Sequence, residues 1–103
     1  MTVLPSIALL LLAATKPIFS YTDYPPEAVF NHWEGTVVAD LTISAKGKPT
    51  ACRIVKSSGH DVLDRATCNL LLERAKFKPE TDEHGTPRKS TYRTPPINWE
   101  LDP

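Results

Sequence analysis

The sequence contains no long run of lysine or arginine, and its 12 basic residues are balanced by 12 acidic ones, giving a formal net charge of zero. A nucleic-acid-binding protein usually carries a basic patch or stripe, so this composition argues against nucleic acid as a partner. A chain of 103 residues with 41% hydrophobic residues can bury one modest core. We therefore expect a single folded domain.

The chain also lacks an apolar run long enough to span a bilayer. The run from Val3 to Ala14 falls short of the roughly 20 residues that a membrane-spanning helix needs, but its length is typical of the apolar part of a secretory signal. We interpret residues 1–20 as a signal peptide and residues 21–103 as the mature, exported domain. No basic residue precedes the run, which leaves an uncleaved anchor as an alternative. The small residues that could define the cleavage point are Ala13, Thr15 and Ser20.

Two strands are indicated by the middle of the chain. From Gly35 to Ser44 the residues alternate between apolar and polar, which is typical of a half-buried strand. The apolar face of this strand carries Val37, Ala39, Leu41 and Ile43. A turn containing Gly47 leads into "TACRIVKS", a second and antiparallel strand on which Cys52 and Ile54 share a face.

Helices are predicted before and after this hairpin. A brief helix is expected over Glu27–Trp33, because prolines are tolerated in a first helical turn. The main helix is expected from Val62 to Lys76, with Asp61 as the N-cap. Its apolar residues form two stripes, one of Cys68, Leu71, Leu72 and Ala75 and the other of Val62, Leu63, Ala66 and Leu70.

The chain ends in "STYRTPPINWEL", which we interpret as a strand after the polar loop "PETDEHGTPRK". Pro95 and Pro96 confine this strand to a sheet edge or a bulge, because proline cannot donate to a ladder. The order of elements predicts an α+β fold of β-β-α-β type. We expect a small antiparallel three-stranded sheet with one main helix packed on one face.

Both cysteines of the chain are expected on facing elements, Cys52 on the second strand and Cys68 on a helix stripe above it. We predict a disulfide between them, which would close a loop of about 16 residues and stabilise the fold by about 3 kcal/mol in the chain-entropy model. The alternatives are two buried free thiols in a reducing cytosol, or a zinc site using both cysteines with His60 and His84. Zinc is disfavoured because the sequence has no close pair of ligands.

No catalytic, metal-binding or cofactor-binding motif is apparent, and we predict that the protein is not an enzyme. "SSGHD", from Ser57 to Asp61, contains the residue types of a hydrolase triad. Neighbouring residues in one turn do not form a nucleophile, base and orienting acid, which normally come from distant segments. The stretch is better explained as the entry to the main helix.

Several local motifs in this order resemble the C-terminal domain of the TonB energy-transducer family. Tyr24-Pro25 resembles the entry motif of that family, and "EGTVVADLTISAKGKP" its first strand and turn. "IVKSSGHDVLD" resembles the second strand and helix entry, and "RAKFKPETDEHGTP" the helix exit. The resemblance covers Tyr24 to Leu101, and the two cysteines resemble those of a cysteine-paired branch of such domains.

The resemblance implies a periplasmic module that captures an extended segment of an outer-membrane receptor, or of another envelope protein, by adding it to a sheet edge. No small-molecule substrate is implied. The partner-binding residues are expected on the C-terminal strand, namely Tyr92, Arg93, Thr94, Ile97 and Trp99. We expect proline at Arg93 or Thr94 to remove an edge donor. Alternatively, the large apolar residues of this strand lie in the core under the helix. An open edge could also pair with a second copy, giving a strand-exchanged homodimer.

The sequence departs from a full-length transducer in three respects. It has no spanning helix of sufficient length, no histidine within such a helix to engage a proton-driven motor, and no long proline-rich spacer. We therefore expect an exported terminal domain that binds envelope proteins, with a role in TonB-dependent transport. The alternative is a structural envelope domain of the TolA-like type without a transport role.

Overall fold

The computed structural model describes residues 19–101. Apart from Phe19 and Ser20, the predicted signal peptide of residues 1–20 lies outside the described residues. Residues Tyr21–Asp23 form a turn of 3₁₀ helix just before the first α-helix. The helices are α1 (Pro26–Phe30) and α2 (Asp61–Arg74), and the strands are β1 (Gly35–Ile43), β2 (Pro49–Lys56), β3 (Glu80–Thr81), β4 (Pro87–Arg88), β5 (Ser90–Arg93) and β6 (Ile97–Trp99).

The main sheet has β1 at its centre, with β2 on one side and both β5 and β6 on the other, and every pairing is antiparallel. The predicted α+β fold with one main helix is confirmed. The C-terminal strand, predicted as one element, is instead divided into β5 and β6. Between them lies the Pro95-Pro96 pair, which has no N–H to donate to the ladder. Within the predicted polar loop, β3 and β4 form a separate two-residue hairpin.

The alternation predicted for β1 is confirmed. Val37, Ala39, Leu41 and Ile43 are all buried, whereas the residues between them are half-buried on the opposite face. Because β1 pairs on both sides, its apolar face lies in the middle of the core, beneath α2. Ile97 and Trp99 of β6 extend the same buried surface.

Helix α2 occupies the predicted region, but two details differ. The N-cap is His60, and the predicted N-cap Asp61 is the first helical residue. The carboxylate of Asp64 instead reaches back and accepts a hydrogen bond from the Ser58 backbone N–H at 2.9 Å. The buried stripe also differs from both predicted stripes, because it consists of Leu63, Thr67 and Leu71.

Helix α1 is shorter than the predicted Glu27–Trp33. It ends at Phe30, and two residues later His32 adopts a left-handed conformation with φ of 56° that an α-helix cannot continue. Only Ala28 of this helix is buried. The helix therefore adds little to the core and mainly connects the entry segment to β1.

The entry segment before α1 packs over the end of the sheet. The rings of Phe19 and Tyr24 approach Trp99 edge-on, with centroids 5.4 and 5.2 Å from the indole. Asp23 forms a two-pronged ion pair with Arg74 at the end of α2, with N–O distances of 2.7 and 3.0 Å. The folded unit thus includes Phe19, which lies before the predicted boundary at residue 21.

Candidate functional site

Strand β5 lies at an edge of the main sheet, and within residues 19–101 no strand pairs with its outer side. The Thr94 N–H donates to the Ala39 carbonyl at 2.9 Å, so the backbone N–H of Thr94 points toward β1. Residues of an antiparallel strand point their backbone groups alternately toward and away from the neighbouring strand. Given the pairing of Tyr92 with Leu41, Tyr92 points its N–H and C=O toward β1, and Thr91 and Arg93 point theirs outward.

Thr94 does not belong to the accessible part of this edge. Its side chain is buried, its N–H donates to the Ala39 carbonyl, and its Oγ1 accepts a hydrogen bond from the Ala39 N–H at 3.1 Å. The expectation that proline at Thr94 would remove an edge donor is therefore wrong, because that substitution would remove a bond to β1. The same expectation for Arg93 agrees with the outward direction of its N–H.

Ile97 and Trp99 are fully buried, so their side chains occupy the core as the alternative interpretation allowed. The indole Nε1 of Trp99 donates to Thr67 Oγ1 at 2.9 Å, and the Thr67 hydroxyl donates to the Leu63 carbonyl at 2.8 Å. This buried chain of hydrogen bonds holds β6 against α2. Thr67 could not be identified from the sequence, since a lone threonine between two apolar stripes resembles a surface position.

Tyr92 and Arg93 lie on opposite faces of β5. The half-buried Tyr92 ring packs 5.2 Å from the Phe77 ring, on the helix-covered face. The Arg93 side chain is 61% exposed and donates two hydrogen bonds, of 2.7 and 2.9 Å, to the Asp40 carboxylate. Asp40 also accepts from Arg53 on β2 at 2.9 Å. The hydrogen bond from Arg93, and to a lesser extent that from Arg53, holds the pKa of Asp40 below its usual value.

The entry motif has a structural position. Tyr24 is buried, and its hydroxyl donates to the Trp33 carbonyl. Burial, with a smaller contribution from the charge of Glu34, raises the pKa of Tyr24 to about 12. The Pro25 carbonyl accepts the Val29 N–H at 3.0 Å and so starts α1. Tyr24 and Pro25 thus hold the entry segment against the core.

The predicted disulfide is confirmed. Cys52 of β2 and Cys68 of α2 are joined, with a Cα–Cα distance of 5.7 Å. Sulfur atoms that are bonded to each other cannot bind zinc as thiolates, which removes the alternative zinc site. Residues 19–101 contain no group of three or more histidine, cysteine or acidic side chains arranged to hold a metal ion.

Hydrogen bonds hold the turn before α2, and among the described residues the His60 side chain forms none of them. The hydroxyls of Ser57 and Ser58 both donate to the Asp64 carboxylate. The His60 ring instead stacks on Trp33, with centroids 5.0 Å apart and planes 14° from parallel. This geometry fits the helix-entry role and not a serine–histidine pair.

The edge also includes positions that were not identified from sequence. On β5, Thr91 points its N–H and C=O outward. On β6 the same alternation points the N–H and C=O of Asn98 outward, because Asn98 lies between Ile97 and Trp99, whose backbone groups face β1. The Asn98 side chain accepts a hydrogen bond from Thr36 Oγ1 at 2.8 Å. These residues can be identified only from the registers of β5 and β6 against β1, and those registers depend on the interruption at Pro95-Pro96.

The chain is therefore a small α+β domain, in which one helix covers an antiparallel sheet and strand β5 lies open at an edge. The chain belongs to the TonB family, since the family described as "Gram-negative bacterial TonB protein C-terminal" matches residues 20–101. The TonB family transduces energy and is non-enzymatic, and on that ground the prediction that the chain is not an enzyme is confirmed.

Individual relatives agree with the family match. The chain is 31% identical to "Protein tonB2" of Pseudomonas aeruginosa over 80 residues, covering 78% of this chain and 28% of that protein. It is 33% identical to "Protein TonB" of Helicobacter pylori strain J99 over 73 residues, covering 71% and 26% respectively. The chain thus corresponds to only about a quarter of the length of these relatives. No solved structure matches it significantly, and none of the helices formed by residues 19–101 is long and apolar enough to cross a membrane.

Proposed function

We propose that this protein is a periplasmic TonB-type module that binds an extended segment of an outer-membrane receptor by pairing it with the outer side of β5. The observation that carries the proposal is the open edge of that strand. Thr91 and Arg93 present backbone donors and acceptors there, and within residues 19–101 no strand covers them. An extended partner segment would gain main-chain hydrogen bonds from these groups.

The prolines that follow β5 would make this pairing selective. Pro95 and Pro96 have no N–H, so the row of accessible donors is interrupted shortly after Arg93. A partner segment longer than β5 would gain no donor from either proline. The edge therefore favours a short extended segment over indiscriminate pairing with another sheet.

Arg93 would add a side-chain contribution. Its side chain is 61% exposed, whereas the Asp40 side chain with which it pairs is only 12% exposed, so the guanidinium remains accessible to a partner. An acidic side chain on the partner could therefore pair with this guanidinium. Asp40 would keep its second arginine, Arg53, on the other side.

Export by the N-terminal segment and a role in TonB-dependent transport belong to the same proposal. The support for transport is membership of the TonB family and similarity to two proteins named TonB or tonB2. A strand-exchanged homodimer would use the same edge and would compete with receptor binding, because one strand cannot pair twice on its outer side.

The test compares two substitutions at Thr91, which is exposed and whose N–H points outward. Thr91→Pro removes that donor, whereas Thr91→Val keeps it and keeps a β-branched side chain. Synthetic peptides covering the periplasm-facing segments of the outer-membrane receptors of the same organism are titrated into each variant by calorimetry. Losing one main-chain hydrogen bond should weaken binding by about twofold to tenfold in Thr91→Pro and leave Thr91→Val unchanged.

Circular dichroism and thermal melting of both variants show whether the fold is retained. Receptor peptides that bind Thr91→Pro as tightly as the unchanged protein would place the site elsewhere. If no receptor peptide binds and another envelope protein does, the structural role of the TolA-like type replaces transport.

A further inference from the structure

Strand β2 forms the second edge of the sheet, and only part of it is regular. Its register with β1 shifts at both ends, leaving Thr50 and Val55 without a partner residue on β1. Such bulges bend an edge and discourage general pairing. The stretch from Ala51 to Ile54 keeps an uninterrupted register. By the alternation that fixes β5, Cys52 and Ile54 point their N–H and C=O groups away from β1.

A groove of about 340 Å³ lies beside this regular stretch, between β2 and α2. It is lined by Ile54, Asp61, Asp64, Arg65, Cys68 and Asn69. A strand added to the edge would place every second side chain on the helix-covered face, next to Ile54 and therefore in the groove.

The lining of the groove has an apolar part and an acidic rim. Ile54 and the disulfide-bonded Cys68 provide the apolar part. The rim carries two carboxylates, Asp61 and Asp64, against the single guanidinium of Arg65. A lysine or arginine side chain has the complementary form, because an apolar stem carries a cationic end.

The rim carboxylates can accept such a cation. The ion pair between Asp61 and Arg65 has an N–O distance of 2.9 Å, but both side chains are largely exposed, so the pair is weak and can be shared. Asp64 accepts from two serines, and a carboxylate has room for further donors. On the opposite face of β2, Arg53 is 74% exposed, so the next residue of an added strand would meet a positive charge.

We infer that β2 is a second docking edge, independent of the one proposed on β5, and that it takes an extended protein segment with a basic side chain in the groove and acidic side chains on the other face. The regular stretch fixes where the segment pairs, and the groove selects the basic residue. Strand β1 lies between β2 and β5 in the sheet, so the inference stands whether or not receptor segments bind to β5.

The experiment uses the full chain, labelled with ¹⁵N, and the short synthetic peptide acetyl-Glu-Val-Glu-Lys-Glu-Val-amide. A peptide with the charges transposed, acetyl-Lys-Val-Lys-Glu-Lys-Val-amide, is the control. We expect the first peptide to shift the backbone amide signals of Cys52, Ile54 and Asn69 and to leave those of Thr91 and Arg93 in place. In antiparallel pairing the groove-facing residues donate to β2, so N-methylation of the peptide lysine should abolish binding.

Two variants of the rim provide a matched test. Asp61→Ala and Arg65→Ala remove the same ion pair, so a purely structural effect would change peptide affinity in the same direction in both. Recognition of a basic side chain instead predicts opposite changes. Affinity should fall by about twofold to fivefold in Asp61→Ala and rise by a similar factor in Arg65→Ala, the range of an exposed ion pair.

Several results would overturn the inference. Among them are shifts confined to Thr91 and Arg93, equal binding of the transposed peptide, parallel changes in the two rim variants, and no shift at millimolar peptide. Signals of Cys52 and Ile54 that move with protein concentration, without peptide, would assign the edge to a second copy of this chain.

Discussion

Removing the Cys52–Cys68 bridge is the perturbation whose effect the structure defines best. The bond joins the edge strand β2 to the helix α2 across 16 positions of sequence. Reduction breaks this bond and leaves every side chain in place. Leu63 and Leu71 still bury the helix against β1, so the reduced protein should keep its fold while losing stability.

The magnitude follows from the length of the closed loop. In the chain-entropy model a loop of 16 positions restricts the unfolded chain by about 3 kcal/mol at room temperature. A small domain is typically stable by about 5–15 kcal/mol, so the bridge accounts for a large part of the total. With a urea m-value of about 1 kcal/mol/M, expected for a domain of this size, the midpoint should fall by about 3 M on reduction.

The assay is urea unfolding followed by circular dichroism, with and without reductant. Cys52→Ala, Cys68→Ala and the double variant give an internal check. Loss of either partner removes the same bond, so the three variants should be destabilised by nearly equal amounts. A double variant with the summed effect of the two single variants would show that packing, and not the bridge, stabilises this region. Coinciding midpoints of the oxidised and reduced protein would refute the reasoning directly.

Three further predictions concern the core, a turn and the entry segment. Thr67→Val leaves the buried Trp99 indole N–H without its acceptor, and we expect the free energy of unfolding to fall by about 1–2 kcal/mol. In a Trp99→Phe background the same substitution should have little effect, which a double-mutant cycle measured by thermal melting would show. Gly47→Ala should destabilise the protein more than Gly59→Ala, because both glycines have positive φ but only a Cβ at Gly47 would lie 2.0 Å from a backbone oxygen; equal unfolding midpoints would contradict this. The hydrogen bond from Arg74 lowers the pKa of Asp23 below its ordinary value of 3.8. The ion pair therefore stabilises the folded protein above pH 3.8, and this stabilisation is lost as the pH falls through the lower pKa that Asp23 has in the folded state. Asp23→Asn should therefore narrow the difference between urea midpoints at about pH 7 and about pH 3, and an unchanged difference would exclude this pair as a source of acid sensitivity.

Much of the framework could be predicted because it follows from local periodicity. The alternation from Val37 to Ile43 identifies a strand with one buried face, and the structure has that strand at the centre of the sheet. The pairing of Cys52 with Cys68 followed from placing a helix stripe above a strand face. Both inferences needed only the period of each element and the order of elements along the chain.

The details that failed depend on which particular partner a side chain finds in the folded chain. Asp61 is a good N-cap by type, yet Asp64 holds the turn through Ser58. Thr67 is polar and still fully buried, because the indole of Trp99 donates to its hydroxyl across 32 positions of sequence. Preferences of single residues cannot anticipate such partners.

By itself the sequence determined the order of the main elements and the buried face of β1, because apolar periodicity and turn residues act over a few positions. Only the tertiary structure decided which backbone groups remain open for a partner. Whether Thr91 and Arg93 point outward and Thr94 inward depends on the register of β5 against β1, and one step of register exchanges the two sets. That register is set by the bond from Thr94 to Ala39 and by the burial of Trp99 under α2, two contacts that join residues far apart in the chain.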